Sequence, residues 1–150
     1  MRTLTLATSV LLAGVGSTLS PLIPSAEAGD PYGFFSLPPC RVVDTRAADA
    51  PALTANVSRT FAIGGRCGIP LGARAVSLNV TVTQPATPGN LRLFAAGTAA
   101  PTASALNYAA GQIRGNNAII PLSAGGELAV LCGQASGTTH VIVDLNGYFE

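Results

Sequence analysis

Apolar and polar residues alternate with a period of two over much of the chain beyond residue 33. The clearest run is Ala75–Thr83, where Val76, Leu78, Val80 and Val82 share one side and Ser77, Asn79, Thr81 and Thr83 the other. That spacing predicts a strand buried on one side, because successive side chains of a strand point to opposite faces. Its Val and Thr content suits a pleated surface. Shorter runs of the same kind predict strands at Arg41–Thr45, Val57–Ile63, Leu91–Phe94, Leu106–Tyr108, Ala118–Leu122, Glu127–Cys132 and Thr139–Leu145. In the last of these Val141, Val143 and Leu145 lie on one side and His140, Ile142 and Asp144 on the other. In the first, Asp44 and Arg46 alternate to the same side as Val42. Phe34–Leu37 is an apolar lead-in stopped by Pro38-Pro39, and Ala47–Ala55 reads as a loop.

Turn residues divide these runs. Gln84–Asn90 and Ser123–Gly126 each stand between two strands, which predicts two hairpins on one plan, with Gly89-Asn90-Leu91-Arg92-Leu93 echoed by Gly126-Glu127-Leu128-Ala129-Val130. No helical period is present after the N-terminal segment. About seven to nine short strands with turn signals between them predict an all-β protein, an antiparallel β-sandwich. A small barrel or jelly roll is the alternative.

The N-terminal segment has its own pattern. Arg2 is followed by an uncharged apolar run, Leu4–Val15, and Ala26-Glu27-Ala28 gives the small-x-small signature of a signal-peptidase site. Residues 1–28 therefore read as a signal peptide and 29–150 as a single secreted β-sandwich domain, extracellular or associated with the cell envelope. The apolar run is shorter than the roughly 20 residues a membrane helix needs, so no membrane span is expected in the mature form.

Composition narrows the partners. The formal net charge is +1, charged residues are 10% of the chain, and every basic residue is arginine. Without a basic stripe, nucleic acid is excluded as a partner. In an exported chain three cysteines suggest one disulfide and one thiol left over. Three pairings exist in principle. Cys40 with Cys67 is favoured, because each stands at the margin of a strand-like run beside Pro or Gly, while Cys132 lies within an apolar run and reads as a buried thiol.

The candidate chemistry is sparse. A serine hydrolase would have to use His140, the single histidine, yet no Gly-x-Ser-x-Gly elbow exists and His140 and Asp144 stand about 13 Å apart on strand geometry. Asp44 with Asp144 is the pair to test for glycosidase chemistry, which needs two facing carboxyl groups. No Cys/His spacing suits zinc, and Asp144-x-Asn146 alone does not make a calcium site, so neither a metal nor a cofactor is expected. The sequons at Asn56 and Asn79 are discounted in a chain of bacterial composition. Asn79, Asn107, Asn116 and Asn117 stand beside apolar residues and could serve as sugar-binding amides. The lack of Trp, with tyrosine only at 32, 108 and 148, counts against ring stacking on a sugar. Asp44 and Arg46 read as a structural polar clasp that ties a strand end inside the fold.

The order of motifs Pro39-Cys40-Arg41-Val42-Val43-Asp44-Thr45-Arg46, Cys67-Gly68-Ile69-Pro70, Ser77–Thr83, Pro101–Tyr108 and His140–Phe149 resembles a recurrent, largely uncharacterised all-β domain of secreted bacterial proteins, over about Phe34–Phe149. The resemblance implies an extracellular accessory domain and supplies no catalytic residues. Together these readings lead to an expectation of a non-enzymatic binding or adhesion module, with polysaccharide or a cell-surface protein as partner. Its expected ligand face comprises Asn79, Asn107, His140, Asp144 and Asn146. The alternatives are a structural protein forming homo-oligomers through exposed β-edges, and a small glycoside or cell-wall hydrolase.

Overall fold

Among the described residues nine strands carry the fold: β1 (Phe34–Asp44), β2 (Leu53–Thr54), β3 (Ser58–Ala62), β4 (Ala75–Thr83), β5 (Gly89–Ala95), β6 (Leu106–Tyr108), β7 (Arg114–Pro121), β8 (Glu127–Gln134) and β9 (Thr138–Phe149). The computed structural model describes residues 31–150, so the expected signal peptide at 1–28 lies outside the described residues. The strands form two antiparallel sheets that do not close into a barrel. The larger runs β1-β9-β4-β7, with β2 beside β9, and the smaller runs β3-β8-β5-β6. This is a β-sandwich.

The alternation seen in the sequence sets which sides meet. Val76, Leu78, Val80 and Val82 of β4 and Val141, Val143 and Leu145 of β9 face inward and are buried. They pack in one cluster with Phe61, Leu91, Leu93, Leu128, Val130 and Cys132 from the smaller sheet. Burial of these side chains, at roughly 25 cal/mol per Å² of apolar surface, is the main stabilising contribution.

Both expected hairpins prove to be crossovers. β4 lies in the larger sheet and β5 in the smaller, and the same holds for β7 and β8. The two arches stand side by side, β4 paired with β7 and β5 with β8. The shared sequence plan thus reflects two equivalent arches, each carrying the chain from one sheet to the other.

Two breaks in register shape β1. The lead-in and first strand form one continuous edge strand, with Pro38 and Pro39 inside a break between Ser36 and Cys40. An edge strand tolerates proline because one side of its backbone needs no partner. A second break falls between Arg41 and Val43, which pair with the consecutive residues Asp144 and Val143. Val42 is therefore the extra residue of a β-bulge. Val42 and Val43 are both buried, which overturns the expected alternation of Asp44 and Arg46 with Val42. The bulge turns Arg41 and Asp44, three residues apart, to the same outer face. Among the described residues no helix is long and apolar enough to cross a membrane. Cys40 and Cys67 form a disulfide, and Cys132 is a buried free thiol.

Candidate functional site

The charged clasp is larger than expected and lies at the surface. Arg46 grips the Asp44 carboxylate with Nε on Oδ1 at 2.9 Å and Nη2 on Oδ2 at 2.7 Å, and its backbone N–H adds a third bond at 3.0 Å. Arg41 holds Asp144 in the same two-pronged way, with Nε at 2.8 Å and Nη2 at 3.2 Å, and reaches Asp44 with Nη1 at 3.4 Å. The bulge at Val42 makes this possible by placing Arg41 opposite Asp144. The Asp44 side chain keeps 14% of its exposure and Arg46 keeps 43%, so the clasp closes over the strand end and is not sunk into the core. The side-chain bonds from Arg46, helped by its backbone N–H and by the charges of Arg46 and Arg41, lower the Asp44 pKa to about 2. Arg41 and Arg46 are shifted upward, chiefly by their bonds to Asp144 and Asp44 respectively. A glycosidase needs one carboxyl held protonated near neutral pH. These arginines impose the reverse on Asp44.

Register places a set of parallel rows across the outer face of the larger sheet. Arg41, Asp144, Asn79 and Asn117 stand in one row across β1, β9, β4 and β7. The row on one side of it is Ser36, Gly147, Ser77 and Ile119, and beyond that come Phe34, Phe149 and Ala75. With strands about 4.8 Å apart, such a row spans roughly 14 Å. Phe34 packs on Phe149 with ring centroids 5.0 Å apart. Its ring also lies over Gly147, where an added Cβ would stand 2.5 Å from ring atoms. Only glycine leaves room for that ring against β9. Phe34 remains 53% exposed. The face therefore does carry an aromatic surface beside its amides and hydroxyls, contrary to the expectation from the missing Trp and scarce Tyr. Phenylalanine supplies it.

The expected ligand face divides. Asn79 and Asp144 stand opposite each other, and Asn79 Nδ2 donates to Thr81 Oγ1 at 3.1 Å. Asn146 is exposed and is the unpaired residue where β9 breaks register against Ser77 and Leu78 of β4. His140 lies further along β9, its Nδ1 3.1 Å from Thr45 Oγ1. That hydroxyl also accepts from the Val141 N–H at 2.9 Å and is fully buried, so the His–Thr contact serves the end of the ladder and offers no accessible nucleophile. Asn107 belongs to β6 in the other sheet and shares no surface row with Asn79. It lines a cleft of about 270 Å³ with Ser104, Arg114 and Asn116.

The remaining chemistry is structural. Tyr108 Oη donates to Gln134 Oε1 at 2.9 Å and lies 3.7 Å from Cys132 Sγ. Burial raises the pKa of Cys132, only partly offset by its bond with Tyr108, and a buried thiol held in its neutral form is a poor nucleophile. Among the described residues no three His, Cys, Asp or Glu side chains gather as metal ligands. No buried side-chain polar atom among them lacks a partner. Comparison with protein-family models gives no match, and comparison with curated proteins gives none.

Proposed function

We propose that the protein is a non-enzymatic, exported binding module that takes a polysaccharide of the cell wall or cell surface on the outer face of its larger sheet. One observation carries this reading: the exposed Phe34 ring over Gly147, beside the polar row Arg41–Asp144–Asn79–Asn117. A sugar ring presents an apolar face and a rim of hydroxyls. An exposed aromatic ring meets the first, while amides and charged hydrogen-bonding groups meet the second. A face about 14 Å across suits an extended chain better than a small molecule. Export is supported by the pattern of residues 1–28 and by the Cys40–Cys67 disulfide, a bond that persists in oxidising compartments. The resemblance to accessory domains of secreted bacterial proteins agrees with both.

The test is retention of the full-length secreted protein on purified cell-wall polysaccharide and on a glycan array. Phe34→Ala is expected to weaken retention by about tenfold, the loss of one ring contact worth roughly 1–1.5 kcal/mol. Wild-type retention no greater than that of an unrelated β-sandwich overturns the reading.

A second reading, self-association through a sheet edge, is favoured by β7. Among the described residues its outer side has no strand partner, and its Ile119 is 63% exposed.

A further inference from the structure

β7 breaks the rule that inward-facing positions of a sandwich are apolar. Its register against β4 puts Ile120 opposite Val76, Ala118 opposite Leu78, Asn116 opposite Val80 and Arg114 opposite Val82. All four partners on β4 face the core, so Arg114 and Asn116 occupy inward-facing positions at an edge where the two sheets part. A polar residue placed where the pattern calls for an apolar one marks either an error or a function. Here the polar half opens onto the cleft of about 270 Å³, whose other wall is Ser104–Asn107.

The groups around that cleft are arranged, and several remain free to bind. Asn116 Nδ2 donates to the Ala105 carbonyl at 2.7 Å, which fixes the amide and leaves its oxygen as an acceptor. Ser104 Oγ donates to Asn107 Oδ1 at 3.1 Å, which fixes that amide and leaves its two N–H donors. Among the described residues the Arg114 side chain, like that of Arg74, makes no hydrogen bond or ion pair, whereas those of Arg41, Arg46, Arg59, Arg66 and Arg92 are all engaged. A guanidinium with nothing to bind, beside fixed amide donors and acceptors, is a receptor for a carboxylate surrounded by hydroxyls.

We infer that the cleft between β6 and β7 is a second binding site, separate from the Phe34 face, and that it takes an acidic sugar with its carboxylate on Arg114. Asn107 donates to, and Asn116 accepts from, the neighbouring ring hydroxyls. A peptide C-terminus would bring the same carboxylate, but the side chain next to it would need an apolar pocket, and the cleft walls are polar. The site goes beyond the polysaccharide reading, since it specifies acid and could be occupied whether or not the Phe34 face binds.

The test titrates the full-length secreted protein with a galacturonate tetrasaccharide, its methyl ester as a neutral match, and a short peptide with a free C-terminus. Nitrogen-edited NMR follows the side-chain amides of Asn107 and Asn116, with those of Asn79 and Asn117 reporting the other face. The acid oligomer is expected to shift Asn107 and Asn116, and the ester to bind about tenfold more weakly, as does acid to Arg114→Gln. Arg114 is exposed, so the melting temperature of that variant should match wild type. Equal response to acid and ester, shifts confined to Asn79 and Asn117, no response at all, or a response to the peptide alone overturns the proposal. Shifts at Asn107 and Asn116 with none at Asn79 and Asn117 keep it while removing support from the Phe34 face.

Discussion

The two edges of the larger sheet are built in opposite ways. β1 has a break at Pro38-Pro39, a bulge at Val42, a disulfide at Cys40 and the Arg41–Asp44–Arg46–Asp144 clasp at its end. Its start is pinned by Phe34 on Phe149 and Phe35 stacked on Tyr148 at 5.1 Å. β7 pairs with β4 in unbroken register, with an arginine at its first position and a proline at its last. Prolines, bulges and charges are the means by which natural sheets stop their edges from pairing with other chains. β1 uses all of them, and β7 uses almost none. Three of the polar groups left free to bind, Asn117 on the outer face and Arg114 and Asn116 in the cleft, are on β7. Covalent and ionic stabilisation is concentrated at β1, and polar side chains with free donors or acceptors gather at β7.

The sharpest way to break this contrast is at Cys40. Replacing both Cys40 and Cys67 by Ser opens a loop of 27 residues' separation, and the expected loss is about 3–4 kcal/mol in denaturant unfolding. A loss below about 1 kcal/mol would mean that the ladder and clasp alone secure β1.

The clasp comes next in size. Asp44→Asn keeps the shape but removes the charge that Arg46 and Arg41 hold, and should cost about 1–2 kcal/mol at neutral pH. The folded pKa lies below the unfolded value, falling from 3.8 to about 2. The stabilisation is therefore complete above about pH 4 and is lost as pH falls toward 2. The gap in stability between wild type and Asp44→Asn should narrow over that window. A gap that stays constant from pH 7 to 2 would show that the Asp44 charge contributes nothing and that the loss comes from shape alone.

Much of this contrast can be read in the sequence, and the rest is hidden for definite reasons. The strict alternation at Ala75–Thr83 and the weaker one at Thr139–Leu145 give strands with Val76, Leu78, Val80, Val82, Val141, Val143 and Leu145 correctly placed inward, although Thr83 and Ile142 on the opposite sides are buried too. The Pro and Gly neighbours of Cys40 and Cys67 point to the disulfide. The bulge at Val42 is one added residue, which shifts the phase of the pattern without changing its composition. The adjacent Val42-Val43 pair, both apolar, is its trace. That phase shift conceals Arg41 as a member of the clasp. The crossovers look like hairpins because a loop such as Gln84–Asn90 can join neighbours in one sheet or partners across two, and period-two patterning is the same in both. Phe34 reads as lead-in, for its role depends on Gly147, more than a hundred residues away. Arg114-Gly115-Asn116-Asn117 shows no apolar alternation, so the strand expected at Ala118–Leu122 begins four residues late. Arg114 and Asn116 become anomalous only once Val80 and Val82 are seen opposite them.

The smallest expected effect tests the open edge. Ile119→Arg puts a charge on a side chain that is already 63% exposed and packs on no neighbouring strand beyond β4. Stability should change by no more than about 0.5 kcal/mol, as for other surface sites without special contacts. The same substitution places a gatekeeping charge in the middle of an edge that has none between Arg114 and Pro121. If β7 pairs with a second copy, antiparallel strands bring the two introduced arginines near one another, and like charges facing across strands oppose pairing. Sedimentation should then show a concentration-dependent dimer for wild type and a monomer for Ile119→Arg. A wild type that stays monomeric at the highest attainable concentration rules out self-pairing and leaves the edge to ligands. A variant that loses several kcal/mol would mean that β7 is not the loose edge its exposure implies, and the contrast with β1 would fail.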